Sequence, residues 1–186
     1  MNHLLEKYNI TQPYFIVSNQ FYKHKNHIVV YEAIKSLRDE WKDFQVVLTG
    51  KEEDYRNPGY ITQLKELVKN NELEEHVRTL GVIPRADQLG LMKYSTAVIQ
   101  PSKFEGWSTV VEDAKSLQKQ ILLSNIAVHI EQMNENAYYF EPDSSEQLKT
   151  LMHSLLKGSI LPKPILENYE DRIRLFAHSF ISIFKK

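Results

Sequence analysis

The sequence contains no cysteine, which excludes disulfides and thiolate metal sites and fits a reducing compartment. It also lacks a charge excess: 23 Lys and Arg stand against 24 Asp and Glu. A nucleic-acid-binding surface would need a clustered basic surplus, so no nucleic-acid partner is expected. No apolar run approaches the roughly 20 residues of a membrane span. The start, Met1-Asn2-His3-Leu4-Leu5-Glu6-Lys7, lacks the long apolar core of a signal peptide, and a cytoplasmic location is expected. No phosphate-cradling G-x-x-x-x-G-K is present, nor a Ser-His-Asp constellation. His24 and His27 have no third ligand placed near them, so no metal site is expected.

What remains is an ordinary globular composition. Of 186 residues, 42% are hydrophobic and 25% charged, enough for one domain with a sizeable core. Short apolar runs alternate with longer amphipathic ones. Tyr14 to Ser18 reads as a buried strand preceded by Pro13. His27 to Lys42 sets Val30, Ala33, Ile34, Leu37 and Trp41 at helical spacing, with Lys35, Arg38 and Asp39 opposite. Further strands are predicted over Gln45 to Thr49, Val77 to Leu80, Ala97 to Gln100, Ile121 to Ser124 and Tyr138 to Phe140. Between them lie a helix carrying Ile61, Leu64, Leu67 and Val68, a short one marked by Leu89 and Met92, and one from about Val110 to Gln118. Ser144-Ser145-Glu146-Gln147 matches a capping box opening a helix to about Lys157.

Strands apolar on both faces and alternating with helices call for an α/β fold: a doubly wound parallel sheet of about six strands, Rossmann-like, with helices on both faces. Gly158 to Pro164 reads as a linker. It divides a domain over residues 1–160 from a C-terminal segment, 161–186, whose helix runs from about Leu166 to Phe184.

Ligands of such sheets sit beyond the carboxyl ends of the strands, so the informative loops are 18–27, 49–59, 81–86 and 101–109. In the last of these, Glu105-Gly106 places a carboxylate beside a flexible turn. Thr109-Val110-Val111-Glu112 matches T-x-x-E, which makes Thr109 the predicted N-cap with Glu112 at N3. The free N–H groups of that first turn form an anion site suited to a pyrophosphate. Glu105 before it and Asp113 inside it are placed to accept hydrogen bonds from sugar and ribose hydroxyls.

The segment Phe104-Glu105-Gly106-Trp107-Ser108-Thr109-Val110-Val111-Glu112-Asp113-Ala114 resembles the glutamate-x7-glutamate signature of the retaining GT-B glycosyltransferases, family 4 in particular. The strand Ala97 to Pro101, the segment Leu80-Gly81-Val82-Ile83-Pro84 and Lys25-Asn26-His27 match that family in order and spacing. The resemblance covers roughly residues 10–155. It implies that Glu105 binds donor-sugar hydroxyls and that Gly106, Trp107 and Ser108 line the sugar and phosphate. It further implies that the helix start at Thr109 and Val110 holds the diphosphate, that Lys25 neutralises the leaving phosphate, and that backbone at Val82, Ile83 and Pro84 holds the base. Asp113 replaces the family's second glutamate and is favoured for the ribose, because Glu112 carries the predicted cap. Where the family often has an arginine after the first strand, this chain has Asn19, which shifts load to Lys25, helped by Lys23.

The resemblance therefore implies the donor-binding domain of an enzyme that moves a hexose from a UDP-, GDP- or ADP-sugar to a saccharide or lipid-linked acceptor, as in polysaccharide biosynthesis. No cofactor and no metal are expected. The family's N-terminal acceptor domain would face this one across a cleft, the last helix would cross back toward it, and the complete enzyme can associate with a membrane surface. Without that domain the chain is expected to bind nucleotide and transfer little sugar. Two alternatives stay open: a sugar-nucleotide epimerase-like enzyme, and a non-catalytic partner subunit that supplies the donor site.

Overall fold

The computed structural model describes residues 2–10, 13–161, 163 and 169–184. Six parallel strands form one sheet: β1 (Tyr14–Ser18), β2 (Gln45–Thr49), β3 (Val77–Thr79), β4 (Val98–Gln100), β5 (Ile121–Ser124) and β6 (Tyr138–Phe140). Their spatial order is β3-β2-β1-β4-β5-β6. β1 pairs with β2 along its whole length, from Tyr14 opposite Gln45 to Ser18 opposite Thr49, and meets β4 at Ile16 opposite Val98. The expected doubly wound sheet is thus present, with strands starting and ending within a residue of their predicted limits.

Alternation along β1 sorts its side chains to the two faces. Phe15 and Val17 enter one core with Val46, Leu48, Ile99 and Leu122, covered by helix α2 (His27–Leu37) and later by α7 (Ser145–Leu156). Tyr14 and Ile16 enter the other with Val47, Val98, Ile121 and Leu123. That second face is covered by α1 (Asn2–Lys7), α4 (Arg85–Tyr94), α5 (Thr109–Ser116) and α6 (Ala127–Met133). Helix α3 (Tyr60–Asn70) adds Tyr60 and Leu64 to the first core, and α8 (Tyr169–Ile183) closes the described chain.

Two helices were not foreseen: α1 and α6 are short, and α6 shows no side-chain cap. One helix is shorter than its pattern. The predicted span to Lys42 ends at Leu37, whose carbonyl takes the N–H groups of both Glu40 (2.9 Å) and Trp41 (2.8 Å). That shared acceptor tightens the chain into a turn, helped by the Arg38 guanidinium on the carbonyls of Asn71 and Glu72. The Ser144 cap forms as expected, its hydroxyl accepting from Gln147 N–H at 3.2 Å. The reciprocal arm differs: the Gln147 side-chain Oε1 accepts from Glu141 N–H at 2.8 Å. The predicted C-terminal helix is helical over Tyr169–Ile183, while 164–168, where it was expected to start, lie outside the described residues. No helix among the described residues is long and apolar enough to cross a membrane.

His27 sits in the first core with no exposure, stacked on Phe21 at 4.3 Å between ring centroids, and neither ring nitrogen has a hydrogen-bond partner among the described residues. Burial, with Lys25 adding to it, lowers its pKa from 6.5 to about 3. The unfolded chain then binds the extra proton, so stability present above pH 6.5 is lost as pH falls toward 3, by up to about 1.4 kcal/mol per pH unit. Urea unfolding of His27→Phe is expected to show about 2 kcal/mol less destabilisation than the parent between pH 7 and pH 5; equal losses would assign the acid sensitivity elsewhere.

Candidate functional site

Strand order reverses between β1 and β4, since β2 and β3 lie on one side and β5 and β6 on the other. The chain leaving β1 and the chain leaving β4 therefore diverge to opposite faces and open a crevice at their carboxyl ends. After β1 a 3-10 turn, Lys23–Lys25, ends at Asn26, which adopts a left-handed φ of 58°. Its amide donates to the carbonyls of Pro101 (3.1 Å) and Pro142 (2.7 Å), and Lys103 N–H donates to the His24 carbonyl at 2.8 Å. These bonds stitch the turn to the loops after β4 and β6.

The stitching brings Lys25 to Glu105, with Nζ 2.6 Å from Oε1. The pair is largely buried, with 17% and 9% of the side chains exposed. A second donor reaches the same oxygen: Gln100, the last residue of β4 and fully buried, places Nε2 2.8 Å from Glu105 Oε1. The same nitrogen lies 3.1 Å from Ser108 Oγ, while Gln100 Oε1 accepts from Asn19 Nδ2 at 2.7 Å.

Helix α5 begins one residue earlier than the T-x-x-E pattern implies. Ser108, not Thr109, is the N-cap: it is extended (φ −87°, ψ 109°) and its hydroxyl accepts from Val111 N–H at 3.4 Å. Tertiary bonds decide this. Gln132 on α6 grips the Ser108 backbone from both sides, accepting from its N–H at 3.2 Å and donating to its carbonyl at 3.0 Å. Glu112 consequently falls at N4 and accepts from Gln132 Nε2 at 2.9 Å instead of capping. Thr109 and Val110 become the first helical residues, whose N–H groups have no intrahelical acceptor, and both line the crevice.

That crevice is a cavity of about 310 Å³. It brings together Lys25, Glu105, Trp107, Ser108, Thr109, Val110 and Asp113 with Val82 and Ile83 from the loop after β3. Gly106 and Pro84 adjoin lining residues in the chain without lining the cavity themselves. Gly50 is required at its wall: it has φ 134°, and a Cβ there would lie 2.1 Å from the Asn19 carbonyl oxygen. Trp107 is 49% and Val82 74% exposed, so two apolar side chains stand at the rim.

Several lining side chains were missed from sequence. Arg85, at the start of α4, pairs with Asp113, and Gln88 one turn on reaches the Ser18 hydroxyl. Asp113 is thus in the cavity as expected and already has a cationic neighbour, while Glu112 faces α6. The signal for Arg85 was its place next to Val82-Ile83-Pro84. Nothing in the local pattern marks Gln100 or Gln132. No group of three metal-ligating side chains occurs among the described residues.

Comparison with known proteins follows the same geometry. A family model described as glycosyl transferases group 1 matches residues 4–172. Among solved structures, a glycosyltransferase from Rickettsia africae is 22% identical with a TM-score of 0.74, covering 84% of this chain and 41% of its own. The C-terminal domain of the group 1 family glycosyl transferase LpcC from Francisella tularensis is 21% identical with a TM-score of 0.74, covering 93% of this chain and 90% of its own. Anabaena HepE in complex with UDP-glucose is 16% identical with a TM-score of 0.78, covering 88% and 44%. At these identities the likeness is one of fold. The chain spans less than half the length of the Rickettsia and Anabaena chains.

The cap assignment is directly testable. Ser108→Ala removes the N-cap oxygen and the nearer of the two hydroxyls on Gln100 Nε2, leaving Ser102 Oγ at 3.4 Å, an expected loss of about 1–3 kcal/mol. Thr109→Ala is expected to stay within about 0.5 kcal/mol of the parent. Urea unfolding of the two variants checks this, and a larger loss in Thr109→Ala would return the cap to that residue.

Proposed function

The chain belongs to the group 1 glycosyl transferases, and from that premise we propose that its cavity binds a nucleoside diphosphate sugar for transfer of the hexose to a saccharide or lipid-linked acceptor. The observation that carries this reading is the convergence of a bonded carboxylate, Glu105, with the open start of α5 in one crevice at the reversal of strand order. The N–H groups of Thr109 and Val110 and the Lys25 ammonium take the diphosphate. Glu105 accepts from sugar hydroxyls, Asp113 from the ribose, and the loop at Val82, Ile83 and Pro84 borders the base. HepE was solved with UDP-glucose, which supports a nucleotide sugar as the ligand class.

In the proposed transfer the bond from the anomeric carbon to the β-phosphate oxygen breaks and the acceptor hydroxyl oxygen takes that position with retention of configuration. The hydroxyl proton passes to the departing diphosphate. Lys25 and the helix start stabilise the charge that gathers on the leaving phosphate, the place where fixed donors lower a barrier most. With those donors supplied by the chain, no metal is assigned a role. The acceptor would be held by a second domain, so this domain alone binds donor without efficient transfer.

Calorimetric titration with UDP, GDP and ADP and their hexose esters tests the reading. Glu105→Ala is expected to weaken the sugar nucleotide about tenfold and the bare nucleotide about threefold or less, whereas Lys25→Ala weakens both about tenfold. Equal losses for both ligands in Glu105→Ala would remove the sugar contact. Donor affinity is expected to be unchanged by EDTA, and clear turnover by the isolated chain with added acceptor would overturn the need for a second domain.

A further inference from the structure

Glu105 holds its two oxygens in different conditions. Oε1 receives both Lys25 Nζ at 2.6 Å and Gln100 Nε2 at 2.8 Å, while Oε2 has no hydrogen-bond partner among the described residues. The amide that does this cannot be turned around. An ionised carboxylate only accepts, so the –NH₂ end of Gln100 must face Glu105, and the oxygen end then faces Asn19. The Asn19 amide is oriented in turn, since its own oxygen would oppose Gln100 Oε1, and it donates there at 2.7 Å. The second hydrogen of Gln100 Nε2 reaches the Ser108 hydroxyl at 3.1 Å. One fully buried side chain thus joins the cavity wall at Asn19, the carboxylate at 105 and the N-cap of α5.

Resting on the donor-site reading above, we infer that Gln100 is a positioning residue for the donor: with Lys25 it saturates one oxygen of Glu105, so that Oε2 alone is offered to the sugar, and it holds that oxygen in fixed relation to the helix start that meets the phosphates. A single carboxylate oxygen has lone pairs for one hydroxyl or for two adjacent ones, which suits a hexose carrying a vicinal diol. Neither Lys25 nor Glu105 does this unaided, because a flexible ammonium tolerates rotation of the carboxylate and a planar amide bonded at both ends does not.

Two variants of the full chain separate positioning from simple packing. Gln100→Met keeps the volume and removes the amide; Gln100→Glu keeps the shape and sets a second carboxylate against Glu105. Dissociation constants are measured by calorimetry for UDP and UDP-glucose, GDP and GDP-mannose, and ADP and ADP-glucose, using the pair that the parent binds best. In Gln100→Met the sugar nucleotide is expected to weaken about tenfold and the bare nucleotide about threefold or less.

Gln100→Glu is expected to show the same sugar-selective loss at pH 8 and to recover on going to pH 6, because two adjacent carboxylates take up a shared proton. The other groups facing this point are Lys25, and His24 and His129, whose pKa values burial lowers from the ordinary 6.5. The parent is expected to show no such recovery. Unchanged sugar-to-nucleotide ratios in both variants, or a pH-independent loss in Gln100→Glu, would overturn the positioning role while leaving the donor site standing. If Gln100→Met does not fold, the pH profile of Gln100→Glu decides alone. A parent that binds none of the six ligands overturns the donor reading and this inference with it.

Discussion

A carboxylate at 9% exposure has lost most of its water and needs bonds in its place. Glu105 finds those bonds in Lys25, eighty residues earlier in the chain, and in Gln100, five residues earlier. Such partners meet only where the segments leaving β1 and β4 start side by side and then part. The sheet supplies that condition once, at its reversal of order. Helix α2 carries its segment to one core and α5 carries the other to the opposite core. The two helices cannot collide, and the cavity opens between the segment leaving β1 and the start of α5. Doubly wound topology and a bonded Glu105 are therefore one fact seen at two scales.

The scaffold was largely legible in the sequence because it rests on apolar periodicity. Tyr14 to Ser18 is buried at every position, and a short run of β-branched and aromatic residues behind a proline has few other uses. Helix α2 was legible through Leu37 and then misread to Lys42, since Trp41 continues the apolar spacing. Spacing records which face is buried and not whether the backbone has turned, and Trp41 packs against the core from a turn. The site loop was singled out through its resemblance to a known family, and the residues named there, Lys25, Glu105 and Asp113, line one cavity.

The polar scaffolding behind that cavity was not legible. T-x-x-E at Thr109 is a sound local motif, yet Ser108 caps the helix because Gln132 and Gln100 hold it extended from outside. A local capping preference amounts to about 1 kcal/mol, and three tertiary hydrogen bonds exceed it. Glutamine carries no periodic signal, and a buried glutamine in a strand looks the same in sequence as an exposed one. Gln132 is further hidden because α6 lacks a side-chain cap to announce it.

Lys25 faces Glu105 and Arg85 faces Asp113, so the lining carries two cations and two anions, each cation already engaged. A ligand bringing only negative charge would compete with those carboxylates for the same cations. A ligand bringing hydroxyl donors together with its phosphates meets both halves at once: hydroxyls satisfy Glu105 and Asp113 while the phosphates draw on Lys25, Arg85 and the open start of α5. Discrimination between two ligands is a difference of affinities, and internal partners that only the right ligand can replace are one way to create it. On the proposed reading the two ion pairs are thus a selectivity device. They hold the site neutral and ordered, and they favour sugar nucleotides over free phosphate by requiring both kinds of hydrogen-bonding group in one molecule.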